Sequence, residues 1–235
     1  IGGKFIMAII DKPNTLCGAV TWSGNGSQQT ITFAAYNGSA QFQPDFTWIK
    51  KRNGATNQMW TDSVRGATKT IHCQNTDAES TDAQALKSFN SDGFVLGTDG
   101  DVNASGGTYV AWNWKAGTSF TNDASSTGIG TLDSAGSFNN DTGFSVVTYT
   151  GNRSNASLKH GLNIAPKVIF IKGRNATYEW RSYFAAVGAG KYMVLNEPYA
   201  EATGSNFMNN TSPTSSVFSL GDGETPNNNG TNYVA

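Results

Sequence analysis

The chain alternates short apolar and aromatic runs with polar, glycine-rich breaks, and almost nowhere does it hold a helical period. Phe46-Thr47-Trp48-Ile49-Lys50, Thr108 to Trp114, Ser145 to Tyr149, Val168 to Ile171 and Tyr192 to Leu195 have strand length and are rich in β-branched and aromatic residues. Turn signals lie between such runs: Asn53-Gly54, Asp92-Gly93, Asp99-Gly100, Gly106-Gly107 and Gly221-Asp222-Gly223. Their glycines supply positive φ at little cost. Strands joined this way, without helical crossovers, pair antiparallel. One short helix is predicted over Thr81 to Phe89, with Asp82 in its first turn and Ala83, Ala85 and Leu86 favouring helix. The pattern predicts an all-β fold, an antiparallel β-sandwich with Greek-key or jelly-roll connections.

The same phrases occur twice. Trp22-Ser23-Gly24-Asn25 returns as Tyr149-Thr150-Gly151-Asn152, and Pro44 with FTWIKKRN returns as Pro166 with VIFIKGRN. In order there follow Trp60 and Trp180, Gly66-Ala67 with Lys69 and Gly188-Ala189 with Lys191, and Ala78-Glu79 and Ala200-Glu201. Phe94, Leu96 and Gly97 then answer to Phe218, Leu220 and Gly221, and Tyr109-Val110-Ala111 to Tyr233-Val234-Ala235. A collinear repeat of ~120 residues predicts two tandem copies of one folding unit. The expected division is a segment 1–19 outside the repeat, a first sandwich over 20–115, a polar linker over 116–143 and a second sandwich over 144–235. The linker, rich in Ser, Thr, Gly, Asn and Asp, is expected to be an extended surface connection. The stretch Thr32 to Phe42 lengthens an early loop of the first copy. The first copy continues through Trp112-Asn113-Trp114 where the second stops at Ala235, so the second is expected to be truncated and the parent chain to run on.

Composition narrows the partners. With 16 basic and 17 acidic residues the chain has no electrostatic footprint for nucleic acid or an acidic membrane. The apolar run Phe5 to Ile10 is far short of the ~20 residues that span a bilayer, so no membrane insertion is expected. Cys17 and Cys73 are too far apart in sequence to resemble a metal-binding pair, and two buried thiols are expected.

Catalytic signals are sparse. His72 and His160 stand at unrelated places in the repeat, and there is no nucleophile elbow, phosphate loop or dinucleotide fingerprint. A glycosidase needs two carboxylates close in space. Asp62, Glu79 and Asp92 are the acids available in copy one, and only Glu79 recurs, as Glu201. An enzyme is therefore not expected. Asp99, Asp101 and Asn103 place oxygens at alternate positions, as a calcium loop does, although Val110 stands where a bidentate Glu is required. Calcium is the one cofactor the residues suggest, against a plain polar turn. Trp60 and Trp180, with Arg52 and Arg174 nearby, form a candidate glycan platform, an exposed ring beside hydrogen-bonding groups. Against that, Trp48, Trp60, Trp112 and Trp114 in strands suit core or inter-sheet packing. Arg52 or Arg65 pairing with Asp62 to pin a loop is the structural alternative for the arginines.

PDFTWIKKRN, TDSVRGATK and FNSDGFVLGTDGDVNASGGTYVAWNWKAG, followed by GFSVVTYTGN, HGLNIAPKVIFIKGR, NNTSPTSSVFSLG and TNYVA, resemble a repeat of tail-fibre and other virion proteins of tailed phages. The resemblance covers most of Val20 to Ala235. It implies a concanavalin A-like or related β-sandwich on the outside of a virion. It also implies self-assembly, contacts with other virion proteins, and host attachment, with host surface polysaccharide as the candidate ligand. It carries no functional residue over. The expected function is structural and adhesive, with a carbohydrate-binding lectin module as the alternative and a polysaccharide depolymerase behind both.

Overall fold

A computed structural model describes residues 15–33 and 42–235. The expected segment 1–19 therefore lies mostly outside the described residues, as does most of the Thr32 to Phe42 insertion.

The protein is all-β, built from antiparallel sheets in two sandwich-like repeats. The first contains β1 (Cys17–Ser23), β2 (Gln29–Thr32), β3 (Phe46–Lys51), β4 (Met59–Asp62), β5 (Lys69–His72), β6 (Ser80–Thr81), β7 (Leu86–Asn90), β8 (Gly93–Leu96), the single-turn helix α1 (Gly100–Asn103) and β9 (Thr108–Trp114). The segment between the repeats holds β10 (Thr118–Asn122), α2 (Ala124–Thr127) and β11 (Ser134–Asn139). The second repeat contains β12 (Phe144–Thr150), β13 (Ala156–Lys159), β14 (Val168–Gly173), β15 (Arg181–Phe184), β16 (Lys191–Val194), β17 (Ala202–Thr203), α3 (Ser205–Met208), β18 (Val217–Leu220), α4 (Glu224–Asn227) and β19 (Asn232–Val234).

The sheet β1-β9-β3-β4-β5-β6 corresponds strand for strand to β12-β19-β14-β15-β16-β17, and each is backed by a smaller sheet, β2-β8-β7 or β13-β18. Period-two alternation divides the large strands between two faces. Ile49, Met59, Tyr109 and Ala111 point into the first core with Trp22, Phe94 and Leu96. Tyr149, Ile169, Ile171, Tyr183 and Tyr233 fill the second core with Phe218 and Leu220. The opposite faces of the two large sheets meet in a third cluster, which includes Trp60, Ile71, Cys73, Val146, Trp180 and Val234. The glycine of the repeated Gly-Asn phrase has a packing reason. A Cβ on Gly24 would stand 2.2 Å from the Ala104 carbonyl oxygen, and one on Gly151 would stand 2.3 Å from that of Asn228.

Three expectations are corrected. The segment 116–143 is no extended linker: β10 pairs with β11 and β11 with β12, so its hydrogen bonds prolong the second repeat's sheet. Its small polar residues belong to the edge strand β10 and to β11, which is paired on both sides. Thr81 to Phe89 is not helical, because Leu86 pairs with Leu96 in a β7-β8 hairpin and Ala85 is buried, so tertiary pairing overrides helix propensity. Trp60 and Trp180 are not equivalent positions. Trp60 lies opposite Trp48 in β3-β4, whereas Phe170, the counterpart of Trp48, lies opposite Ser182.

Candidate functional site

Trp60 and Trp180, expected as a sugar platform, face each other across the seam between the repeats. Their ring centroids are 4.7 Å apart at 69°, and they are only 8% and 2% exposed. Phe46 and Phe170 meet Trp60 edge-on, at 5.3 and 5.6 Å. The Trp180 indole N–H donates to the His72 carbonyl oxygen at 3.0 Å, tying the second repeat to β5 of the first. Neither ring is available to stack on a sugar, because Trp60 is enclosed by Phe46, Trp48, Phe170 and Trp180, and Trp180 is buried against Trp60. The thiol of Cys73 lies in the same seam, where burial pushes it up to about 12. Neither Cys73 nor Cys17, which is only half-buried, is in a disulfide.

A polar network runs beside the aromatics. Arg65 pairs with Asp62 through Nε and with Glu79 through Nη1 at 3.1 Å, and it donates to the Trp60 carbonyl oxygen at 3.0 Å. The loop-pinning pair foreseen for Asp62 is thus made by Arg65. Arg174 comes from the second repeat and grips both Glu79 oxygens at 2.9 Å in a bidentate pair. Burial pulls the Glu79 carboxyl upward, but hydrogen bonds and charge from Arg174 and Arg65 outweigh it and hold its pKa below the usual value. An ionised, doubly paired carboxylate suits a fastener rather than a general acid, which needs a raised pKa. Asp62 is spent on the same guanidinium, and Asp92 sits in the β7-β8 turn. Close by, the buried Lys172 Nζ donates to the carbonyl oxygens of Thr76, Gly173 and Ala176 at 3.0–3.1 Å. Burial lowers it to about 8, against the upward pull of Asp77. Arg52 is separate from all of this, exposed on the first repeat.

The three residues of the calcium reading are engaged separately. Asn103 is fully buried, its amide donating to the carbonyl oxygens of Ser27 and Gly97 at 2.6 and 2.7 Å while its oxygen accepts from Asn25 N at 3.1 Å. Asp99 caps α1 by accepting from Asp101 N at 2.8 Å, and Asp101 accepts from Asn57 at 2.8 Å. Burial, with the charges of Asp101 and Asp82, raises the Asp99 carboxyl against that backbone bond. The three side chains point to different partners instead of converging. Among the described residues no group of three or more His, Cys, Asp or Glu is placed to hold a metal. The second repeat repeats the clamp: Asn227 donates to Ser154 and Gly221 and accepts from Asn152 N.

The two histidines lie in different settings. His160 is buried, with Nε2 against the Thr214 carbonyl oxygen at 3.2 Å and Nδ1 accepting from Leu162 N, and burial lowers its pKa. His72 lies 3.7 Å from Asp77.

Among the described residues, two open surfaces adjoin the seam. An open cleft of about 330 Å³ lies between the end of β3-β4 and the β10-β11 hairpin, lined by residues such as Asp45, Ser63, Phe120 and Ser137. Its floor is the Asp45 carboxylate, already engaged by Gln43, Ser63 and the backbone N–H groups of Ala116 and Gly117. The other surface is the outer face of β1-β9-β3, where Trp112 is 38% exposed although packing suited it in the sequence. Its neighbour Trp114 stacks on Phe144 of the second repeat at 5.9 Å and 20°. Alternation along β9 directs both rings outward, and only the docking of the second repeat decides which is covered.

Among the described residues no helix is long and apolar enough to cross a membrane. No curated protein matches the chain, and no solved structure does. A family model does match, over residues 12–235 and therefore over both repeats and the strands between them, so the chain belongs to the family described as Domain of unknown function (DUF7483).

Proposed function

We propose that the protein is a structural and adhesive block of a tailed-phage virion appendage, acting through assembly and surface contact and not through catalysis. The observation that carries this reading is the seam. Two sandwiches meet through an aromatic cluster and a largely buried Asp62-Arg65-Glu79-Arg174 network, which ties the two repeats together and suits a rigid unit. Rigidity suits a spacer or knob that must hold its shape between a particle and a cell. The phrase-level resemblance to tail-fibre repeats supports the virion setting. A carbohydrate-binding role is the second reading, favoured by the exposed Trp112 and not by Trp60 or Trp180. The test is location. Antibodies to the full chain should label tails, fibres or capsid decorations on purified particles, with the chain present by mass spectrometry. Its absence from such particles overturns the proposal.

A further inference from the structure

The second repeat leaves part of the large first sheet uncovered, and the outward positions there form one continuous face. Register places Trp112 between Ala19 and Trp48, and Val110 between Thr21 and Lys50. Arg52 follows at the next outward position after Lys50. The Trp112 ring is held against Trp48 at 5.1 Å and 52°, and Trp48 is itself fixed by donating its indole N–H to Gln58. Trp48 packs on Trp60, and Trp60 on Trp180, so the exposed ring is the open end of the seam's own aromatic row. Small, exposed Ala19 leaves it uncovered on the β1 side.

The chemistry around the ring selects a ligand. The outward positions of β1, β9 and β3 carry no carboxylate. Thr21 offers a hydroxyl, and Lys50 adds positive charge while donating to the Thr56 carbonyl oxygen. Arg52 is exposed and makes no ion pair among the described residues. A single fixed ring, with Thr21 and Lys50 at the next outward positions and Arg52 beyond them, offers too little apolar area for a stable protein interface, which buries roughly 800 Å² per partner. It does match a pyranose, whose C–H face is apolar and whose rim is polar. We propose that this face, centred on Trp112, binds an acidic polysaccharide, with one pyranose stacked on the indole and the carboxylate of a neighbouring sugar of the polymer toward Arg52.

This inference rests on the adhesive part of the function proposed above and names its ligand class. The full chain is run by affinity electrophoresis in gels containing alginate, a polyuronate, or dextran, a neutral glucan. Alginate should retard it and dextran should not. Trp112→Ala and Arg52→Gln should each weaken retention about tenfold, the loss of one stacking or charged contact. Tyr199→Ala, at an exposed ring elsewhere, should migrate as wild type. If Trp112→Ala loses its fold by circular dichroism, Arg52→Gln decides alone. No retardation by alginate, equal retardation by dextran, or retention indifferent to both substitutions overturns the proposal. So does dimerisation abolished by Trp112→Ala without polysaccharide binding. Labelled particles with no retardation sink the ligand alone; retardation without labelled particles sinks the virion role alone.

Discussion

Asn103 shows how one buried amide organises a loop that reads like an ion site. Its amide and oxygen join the loop after β1, at Asn25 and Ser27, to Gly97 after β8, and Asn227 does the same in the second repeat. Asp-x-Asp-x-Asn spacing is shared by calcium loops and by capped single turns, because both present oxygens at alternate positions. Which one forms depends on whether the oxygens converge. Asn103→Ala would strand two carbonyl groups and an N–H in the interior, so it should cost about 3 kcal/mol in urea denaturation. Since the loop's own side chains hold it, EDTA should leave the wild-type melting temperature unchanged. A drop on chelation that calcium restores would reinstate an ion here.

At the level of elements, Glu79 acts between β5 and β6 as the junction of two repeats. Glu79→Gln leaves Arg65 and Arg174 facing a neutral amide, and losing this partly buried, doubly paired charge should cost roughly 2 kcal/mol. Acid has the same target. The folded-state pKa of Glu79 lies below its ordinary 4.5, so the folded protein holds fewer protons there than the unfolded chain does. Its contribution is complete above that ordinary value and is lost as pH falls through the folded-state pKa. Denaturation midpoints measured from pH 6 downward should fall less steeply for Glu79→Gln than for wild type. Parallel curves would mean that the network does not couple to protonation. The β7-β8 hairpin teaches a complementary lesson. Ala83, Ala85 and Leu86 favour helix locally, yet pairing of Leu86 with Leu96 across a buried strand prevails.

For the whole molecule the seam sets cooperativity. Two sandwiches with separate cores could unfold separately, but Trp60, Trp180, Phe46, Phe144 and Phe170 lose their partners if either repeat opens. Calorimetry of the wild-type chain should show one transition whose calorimetric and van't Hoff enthalpies agree. Trp180→Ala removes a buried ring and strands the His72 carbonyl, a loss of about 3–5 kcal/mol. The variant should separate the unfolding into two steps, one per repeat. Two transitions already present in the wild type would show that the seam does not couple them.

Strand alternation, turn glycines and the collinear duplication were enough to establish an all-β protein of two repeats, because backbone periodicity and turn chemistry act over a few residues. Asp62 as the partner of Arg65 was also within reach, since the two stand three residues apart. Face-to-face docking was not, because alternation tells that Trp48, Trp60, Trp112 and Trp114 share a face and cannot tell what covers it. Docking buried Trp60 and Trp180, left Trp112 in solvent and brought Arg174 to Glu79. The polar stretch before β12 became sheet for a different reason: β10, β11 and β12 pair in sequence as successive hairpins, and β12 in turn pairs with the distant β19. Local chemistry determined most of the elements and their faces, with β7, β10 and β11 the exceptions. Only long-range packing decided which faces became interior, and with it where a ligand can meet the protein.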